Sequence, residues 1–324
     1  MKAIVQERYG SSDVLEFKEV DRPAPRDGEV LVRVRAASVN ARDWHVMRGD
    51  PYVARLAFGL TGPRQRIQGT DFAGVVEAVG EGVTGLRPGD EVYGEADGAF
   101  AEYVCARQDV VGAKPAGLTF EQAAAVPLAG NTALMGLRDL GRLQPGQHVL
   151  VNGASGGVGT FAVQIAKALG AEVTGVCSTR NVDLVRSLGA DHVVDYKRED
   201  FTRTGLRYDL VLDLVGNRTL ADLRRASTPT GALVLSGGGV SEGGSLFGPM
   251  GLIIRGNLMS RFGRARIHVL TAKQSADNLA ALRELVERGA VTPAVDRTYP
   301  LSEGAEAVRY LEMEHASAKV VITC

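Results

Sequence analysis

The chain has 324 residues, 45% of them hydrophobic and 23% charged, with a formal net charge of −1. This is the composition of a soluble globular chain long enough for two domains, and the near-neutral charge gives no electrostatic reason to expect nucleic acid or an anionic membrane as partner. Cys105, Cys177 and Cys324 stand too far apart for a disulfide framework, no apolar run reaches membrane-spanning length, and residues 1–10 lack a signal-peptide core, so a cytosolic location is expected.

The first third alternates short β patterns with turn signals. Strands are expected at 2–7, 15–20, 29–36, 74–79, 91–94 and 100–104, punctuated by Pro23-Ala24-Pro25 and Arg87-Pro88-Gly89-Asp90. Closely spaced short strands suggest a small barrel-like β domain. Residues 121–138 have helical composition broken by Pro127 and Gly130, where a kink or split is expected.

Strands and helices then alternate. Val149-Leu150-Val151 runs into Asn152-Gly153-Ala154-Ser155-Gly156-Gly157-Val158-Gly159, and Val158, Phe161, Ala162, Ile165, Ala166 and Leu169 mark one face of the helix that follows. An apolar strand, a glycine-rich turn and a helix aim backbone N–H groups and the positive helix end at a pyrophosphate. In this A-x-G-x-x-G arrangement Ala154 stands for the first glycine, Gly156 lets phosphates approach, and Gly159 permits close helix–strand packing; Ser155, Gly157 and Val158 complete the cradle. Further strands are expected at 172–177, 192–195, 209–213, 232–236 and 267–270, apolar enough for a parallel sheet covered on both faces. The first of these, the second strand of the alternating series, ends in Cys177-Ser178-Thr179-Arg180-Asn181. No carboxylate is there to hold a ribose 2′-OH, whereas a hydroxyl and a guanidinium suit a 2′-phosphate, which selects NADP(H). The plain alternative is that Ser178 caps the next helix and Arg180 is solvated. Residues 319–323 form a last strand that could close back onto the first domain.

Taken together, Ser38-Val39-Asn40-Ala41-Arg42-Asp43-Trp44-His45, Gly69-Thr70-Asp71-Phe72-Ala73-Gly74, Arg87-Pro88-Gly89-Asp90-Glu91-Val92, the 154–159 turn, Leu188-Gly189-Ala190-Asp191 and Ala318-Lys319-Val320-Val321 resemble the medium-chain dehydrogenase/reductase superfamily, in its zinc-independent quinone oxidoreductase branch. The resemblance covers essentially the whole chain. It implies an α/β architecture: a GroES-like β-barrel substrate domain (1–123), a doubly wound parallel Rossmann domain (124–272) and a return segment (273–324). Hydride transfer would occur in the cleft between the domains.

The resemblance also places residues. Zinc-dependent relatives carry metal ligands where this chain has Ala41, Thr70 and Leu128, so no metal is expected. Without a Lewis acid the substrate must accept hydride readily, as a quinone or an α,β-unsaturated carbonyl does. Asn40 falls near the nicotinamide, with a strand-end turn or cap as its plain alternative. Thr132 falls by the nicotinamide and its ribose, and Tyr196 against the adenosine phosphate end. His45 stands where relatives carry a tyrosine and could donate a proton, and Trp44 is either an aromatic wall or core. Gly237 and Gly238 fall where backbone approaches the carboxamide. The 240–266 stretch reads as an apolar lid, a dimer surface or both, and a homodimer is implied. Two rival readings stay open: an alcohol or aldehyde dehydrogenase of the same superfamily, and a non-catalytic NADPH-binding protein.

Overall fold

The computed structural model describes residues 1–236, 266–314 and 316–324. Gly237, Gly238 and nearly all of the 240–266 stretch therefore lie outside the described residues. The strands, in chain order, are β1 (Lys2–Gln6), β2 (Leu15–Glu19), β3 (Glu29–Val39), β4 (Asp71–Val79), β5 (Glu91–Glu95), β6 (Tyr103–Arg107), β7 (Val111–Ala113), β8 (His148–Asn152), β9 (Glu172–Cys177), β10 (His192–Asp195), β11 (Tyr208–Asp213), β12 (Ser227–Leu235), β13 (Arg266–Val269), β14 (Val295–Pro300) and β15 (Lys319–Thr323).

Two sheets organise the molecule. The first runs β14-β15-β3-β4-β5-β7, with β6 also on β3. Its centre is β3, whose pairing with β4 shifts register twice. Such irregularities bend a strand and raise its twist, and β3 pairs with β6 along its first half and with β15 along its second. The expected 100–104 strand is displaced to Tyr103–Arg107, because Ala101 bridges to Ala3 and Phe100 is held between Ile4 and Gln68.

The second sheet is wholly parallel, in the order β10-β9-β8-β11-β12-β13. That is the doubly wound order of a dinucleotide-binding domain, in which ligands sit beyond the carboxyl ends of the strands where the order reverses. The helix Gly157–Ala168 buries Phe161, Ala162, Ile165 and Ala166 completely. At residues 120–140 the chain splits at Pro127, which takes the first turn of the helix Pro127–Leu134, and continues as a π-helical turn, Met135–Leu140. Gly130 does not break that helix; it lies against Leu282, where a bare backbone suits close packing.

One apolar cluster joins the two sheets, with Ala36, Ala73, Tyr93 and Val321 packed alongside Val149, Val151 and Phe161. The Tyr93 hydroxyl donates to the Leu279 carbonyl at 2.6 Å. A cleft of about 860 Å³ remains open between the sheets.

Candidate active site

At one end of the cleft lies the glycine-rich turn. The N–H groups of Gly153 and Ala154 both donate to the Val176 carbonyl, which pins the turn across the ends of β8 and β9. A Cβ on Gly159 would stand 2.1 Å from the Gly153 oxygen, so this glycine lets the helix pack on the turn. A Cβ on Gly156 would meet only that same oxygen, at 3.5 Å, and so has room. Ser155, Gly156, Gly157, Val158 and Gly159 line the cleft. Ala154 does not: it is fully buried, and its methyl packs toward Gly175, so its place in the cradle is structural. The geometry fits a pyrophosphate, because the backbone approaches the cleft with no side chain at Gly156 or Gly157 and the helix N-terminus faces it.

Next to the turn, Cys177, Ser178, Arg180, Tyr196 and Lys197 line the cleft together. The expected hydroxyl, guanidinium and phenol are thus brought to one place, with a second cation, Lys197, that the sequence reading missed. Its signal was adjacency to Tyr196 after β10. The carboxylate that ends β10, Asp195, is occupied, accepting from the Thr179 hydroxyl at 2.6 Å and from the Lys197 N–H at 3.0 Å. Burial pushes the Cys177 thiol up to about 11, so it stays a packed thiol.

The other end is a buried polar network. Asn40 closes β3 and opens the helix Ala41–Arg48, whose Asp43 carboxylate accepts the Asn40 N–H at 2.8 Å. The Asn40 side-chain amide donates to the Ser38 carbonyl at 3.2 Å and to Asp71 at 3.0 Å, while its oxygen accepts from Lys319 at 2.6 Å. Both N–H donors and the carbonyl are therefore engaged within the protein. Asn40 lines the cleft as the sequence predicts, but as a held group and not as a free donor.

Asp71 is fully buried and accepts from the Ser38 hydroxyl, the Asn40 amide and the Leu128 N–H. Burial raises its pKa, against the pull of the Lys319 ammonium 3.6 Å away and of those hydrogen bonds. Lys319 is 2% exposed, and desolvation lowers its pKa while Asp71 opposes the shift. Burial raises Asp43 to about 6. Burial, then the neighbouring Asp71 charge, raises Glu95 to about 8.

His45 lines the cleft, with a ring nitrogen 2.7 Å from the Asp50 carbonyl. A carbonyl can only accept, so Nδ1 carries the proton. Burial lowers the ring's pKa, so the neutral imidazole presents Nε2 as an acceptor. That alters the expected proton-donor role. Trp44 is 1% exposed and belongs to the core, edge-on to His45. Thr132 lines the cleft and donates to the Leu128 carbonyl at 2.6 Å, which leaves its oxygen as an acceptor.

Residues 26–116 match the family described as an alcohol dehydrogenase GroES-like domain, and residues 188–322 match a zinc-binding dehydrogenase family. The chain is 33% identical to an NADPH-dependent alkenal/one oxidoreductase of Arabidopsis thaliana, covering 99% of this chain and 79% of that protein. It superposes on the quinone oxidoreductase of Coxiella burnetii with a TM-score of 0.85 and 31% identity, covering 100% of this chain and 99% of that one. A mycobacterial protein solved in complex with NADPH gives a TM-score of 0.82 at 27% identity, covering 100% of each chain.

The chain belongs to the medium-chain dehydrogenase/reductase superfamily, in its quinone oxidoreductase branch.

As a medium-chain reductase it is an oxidoreductase with a GroES-like domain beside a parallel nucleotide-binding sheet. The donor set at the zinc position of its relatives does not fit that metal. Thr70 donates to Asp43 and accepts from Arg42, and Leu128 gives only its backbone N–H, to Asp71. None of Ala41, Thr70 and Leu128 carries the thiolate, imidazole or carboxylate that zinc takes as a ligand. Among the described residues, no group of three or more His, Cys, Asp or Glu side chains is arranged to hold a metal.

Proposed function

We propose that this oxidoreductase is an NADPH-dependent, zinc-independent reductase of quinones or of α,β-unsaturated carbonyls. The observation that carries the reading is the cleft itself, which has the glycine-rich turn at one end and the Asn40 amide held by the Lys319 ammonium at the other, with Ala41, Thr70 and Leu128 where zinc-dependent relatives carry metal ligands. Bound NADPH supplies the hydride. Ser178, Arg180, Lys197 and Tyr196 would bind the 2′-phosphate end, and Arg and Lys there favour NADPH over NADH through charge-assisted bonds. Thr132 offers its oxygen to a ribose hydroxyl or the carboxamide. Pro51, Ala54, Phe58 and Leu128 give the cleft apolar walls, which hold a flat acceptor and exclude water. His45 Nε2 would orient a water or substrate hydroxyl through which a proton comes from solvent.

Location in a reducing compartment such as the cytosol suits the free Cys105, Cys177 and Cys324. Among the described residues, no helix is long and apolar enough to cross a membrane.

The deciding experiment follows loss of reduced-nicotinamide absorbance with NADPH and with NADH, against benzoquinone and a small enone, with and without a zinc chelator. Chelator-resistant turnover that prefers NADPH is expected. Turnover lost to chelator and restored by zinc would overturn the reading, and tight NADPH binding with no turnover would favour the non-catalytic alternative.

A further inference from the structure

The C-terminal strand reaches both ends of the cleft. Just before β15, the Ser317 hydroxyl donates to the Asn181 side-chain oxygen at 2.8 Å, and the Asn181 amide donates in turn to the Ser155 hydroxyl at 2.9 Å. The Ala318 N–H donates to the Ser155 carbonyl at 2.7 Å, and Ala318 bridges to Gly156 of the glycine-rich turn. The Lys319 stem then passes over that turn, with its Cδ 3.0 Å from where a Gly157 Cβ would be. Its ammonium ends at the Asn40 oxygen, 2.6 Å away, and at the Val39 carbonyl, 3.2 Å away. Three consecutive residues thus connect the phosphate cradle to the amide at the hydride site.

We propose that Ser317, Ala318 and Lys319 form a clasp that couples seating of the cofactor phosphates to alignment of Asn40, with Lys319 as the positioning residue. This rests on the reading of the cleft as an NADP(H) site. The Asn40 amide can present its surface to a nicotinamide in one orientation only while Lys319 holds its oxygen and Asp71 and Ser38 hold its nitrogen. The strand that carries Lys319 is anchored on the turn the phosphates occupy. Phosphate binding that firms the turn therefore firms Ser155, Ala318 and Lys319 in sequence. No element is required to change its fold, because each link is a direct contact.

The test uses the full chain and two variants. Lys319→Met keeps the stem and removes the ammonium; Asp71, whose pKa burial already raises, can protonate in response. Ser317→Ala breaks the link at the far end, away from the reacting atoms. Each protein is measured for NADPH affinity, for single-turnover hydride transfer to benzoquinone and to an enone at saturating NADPH with deuterated and ordinary cofactor, and for amide exchange with and without NADPH.

In the unmodified chain NADPH is expected to slow exchange both at 153–159 and at 38–43. Lys319→Met should keep protection at the turn, lose it at 38–43, and slow hydride transfer on the order of 100-fold, as misplacement near a reacting centre does. The isotope effect should then be fully expressed. Ser317→Ala should lower the saturated hydride-transfer rate by about two- to tenfold, the worth of one hydrogen bond. A merely structural Ser317 would change melting temperature or NADPH affinity and leave that rate alone. Unchanged hydride transfer and unchanged 38–43 protection in Ser317→Ala would overturn the clasp even where Lys319→Met fails to fold. An unmodified chain that neither binds NADPH nor reduces either acceptor would remove the underlying reading together with the clasp. An active one with indifferent variants would remove the clasp alone.

Discussion

Glu95 shows what burial does to a single carboxyl. It is 4% exposed, it accepts from the Asn131 amide at 3.5 Å, and the charge on Asp71 adds to the desolvation. Its pKa rises from 4.5 to about 8, so the folded chain holds a proton that the unfolded chain releases. For a group raised in this way, the stabilisation is fully present below about 4.5 and is lost as pH climbs through about 8. At most it amounts to roughly 5 kcal/mol, and to less in so far as Asp71 shares the titration. Glu95→Gln keeps the neutral shape without the titration. Its melting temperature, followed by calorimetry across that window, should decline less steeply than that of the unmodified chain; parallel curves would show that Glu95 ionises normally. No such role was legible in the sequence, where Glu95 reads as one more strand-end acid. The Asn40 partnership was legible only in part. Its position was marked by Ser38-Val39-Asn40, but the ammonium that holds it comes from Lys319, 279 residues along the chain, and chain spacing does not report that pairing.

At the scale of an element, the strand–turn–helix of the cradle was readable because backbone physics is local. Apolar β8, small residues and the striped helix Gly157–Ala168 announce each other. The motif already divides labour between Gly156 and Gly159, and the structure puts distances on that division. Gly159→Ala would drive a methyl to 2.1 Å from the Gly153 oxygen and 2.7 Å from Ala154 backbone atoms, none of which can swing aside. Overpacking of this kind costs about 1–3 kcal/mol or more, and a clear drop in melting temperature is expected. Gly156→Ala has space and an ordinary extended backbone, φ −79° and ψ 174°, so the fold should melt as before. The new methyl would instead occupy the space the phosphates need, and NADPH affinity should fall by about tenfold or more, since each 1.4 kcal/mol of lost contact is tenfold. Titration calorimetry beside thermal melts separates the two, and equal losses of stability would refute the division. The π-helical turn Met135–Leu140 escaped the reading for the opposite reason. Met135, Leu137, Arg138 and Leu140 are good helix formers that do not tell an α-turn from a π-turn, and the packing of Gly136 and Gly141 against Leu212, Leu270 and Leu210 shows how closely this turn lies to the sheet.

For the molecule as a whole, β15 is the strand on which both halves depend. It lies between β14, which it meets in parallel, and β3, which it meets antiparallel, so residues 319–323 are paired on both edges within the sheet built on β3. Val320, Val321 and Ile322 are at most 1% exposed, and Val321 belongs to the cluster that joins the two sheets. Burying three such side chains is worth roughly 5–9 kcal/mol at about 1.5–3 kcal/mol each. That rivals the entire net stability of an ordinary domain, about 5–15 kcal/mol. The apolar run marked β15 as a strand and suggested that it folds back, but its partners follow from topology alone, since any open edge would have satisfied its pattern. Deleting residues 319–324 should therefore abolish the cooperative thermal transition, and limited proteolysis should cut within 1–115, whose strand β3 loses its neighbour. Lys319→Met, which leaves the strand in place, should keep a cooperative transition at a lower temperature. A truncated chain that melted as sharply as the full one would mean that β15 is an accessory to the first sheet, and the anchoring of Lys319 would then have to come from the glycine-rich turn alone.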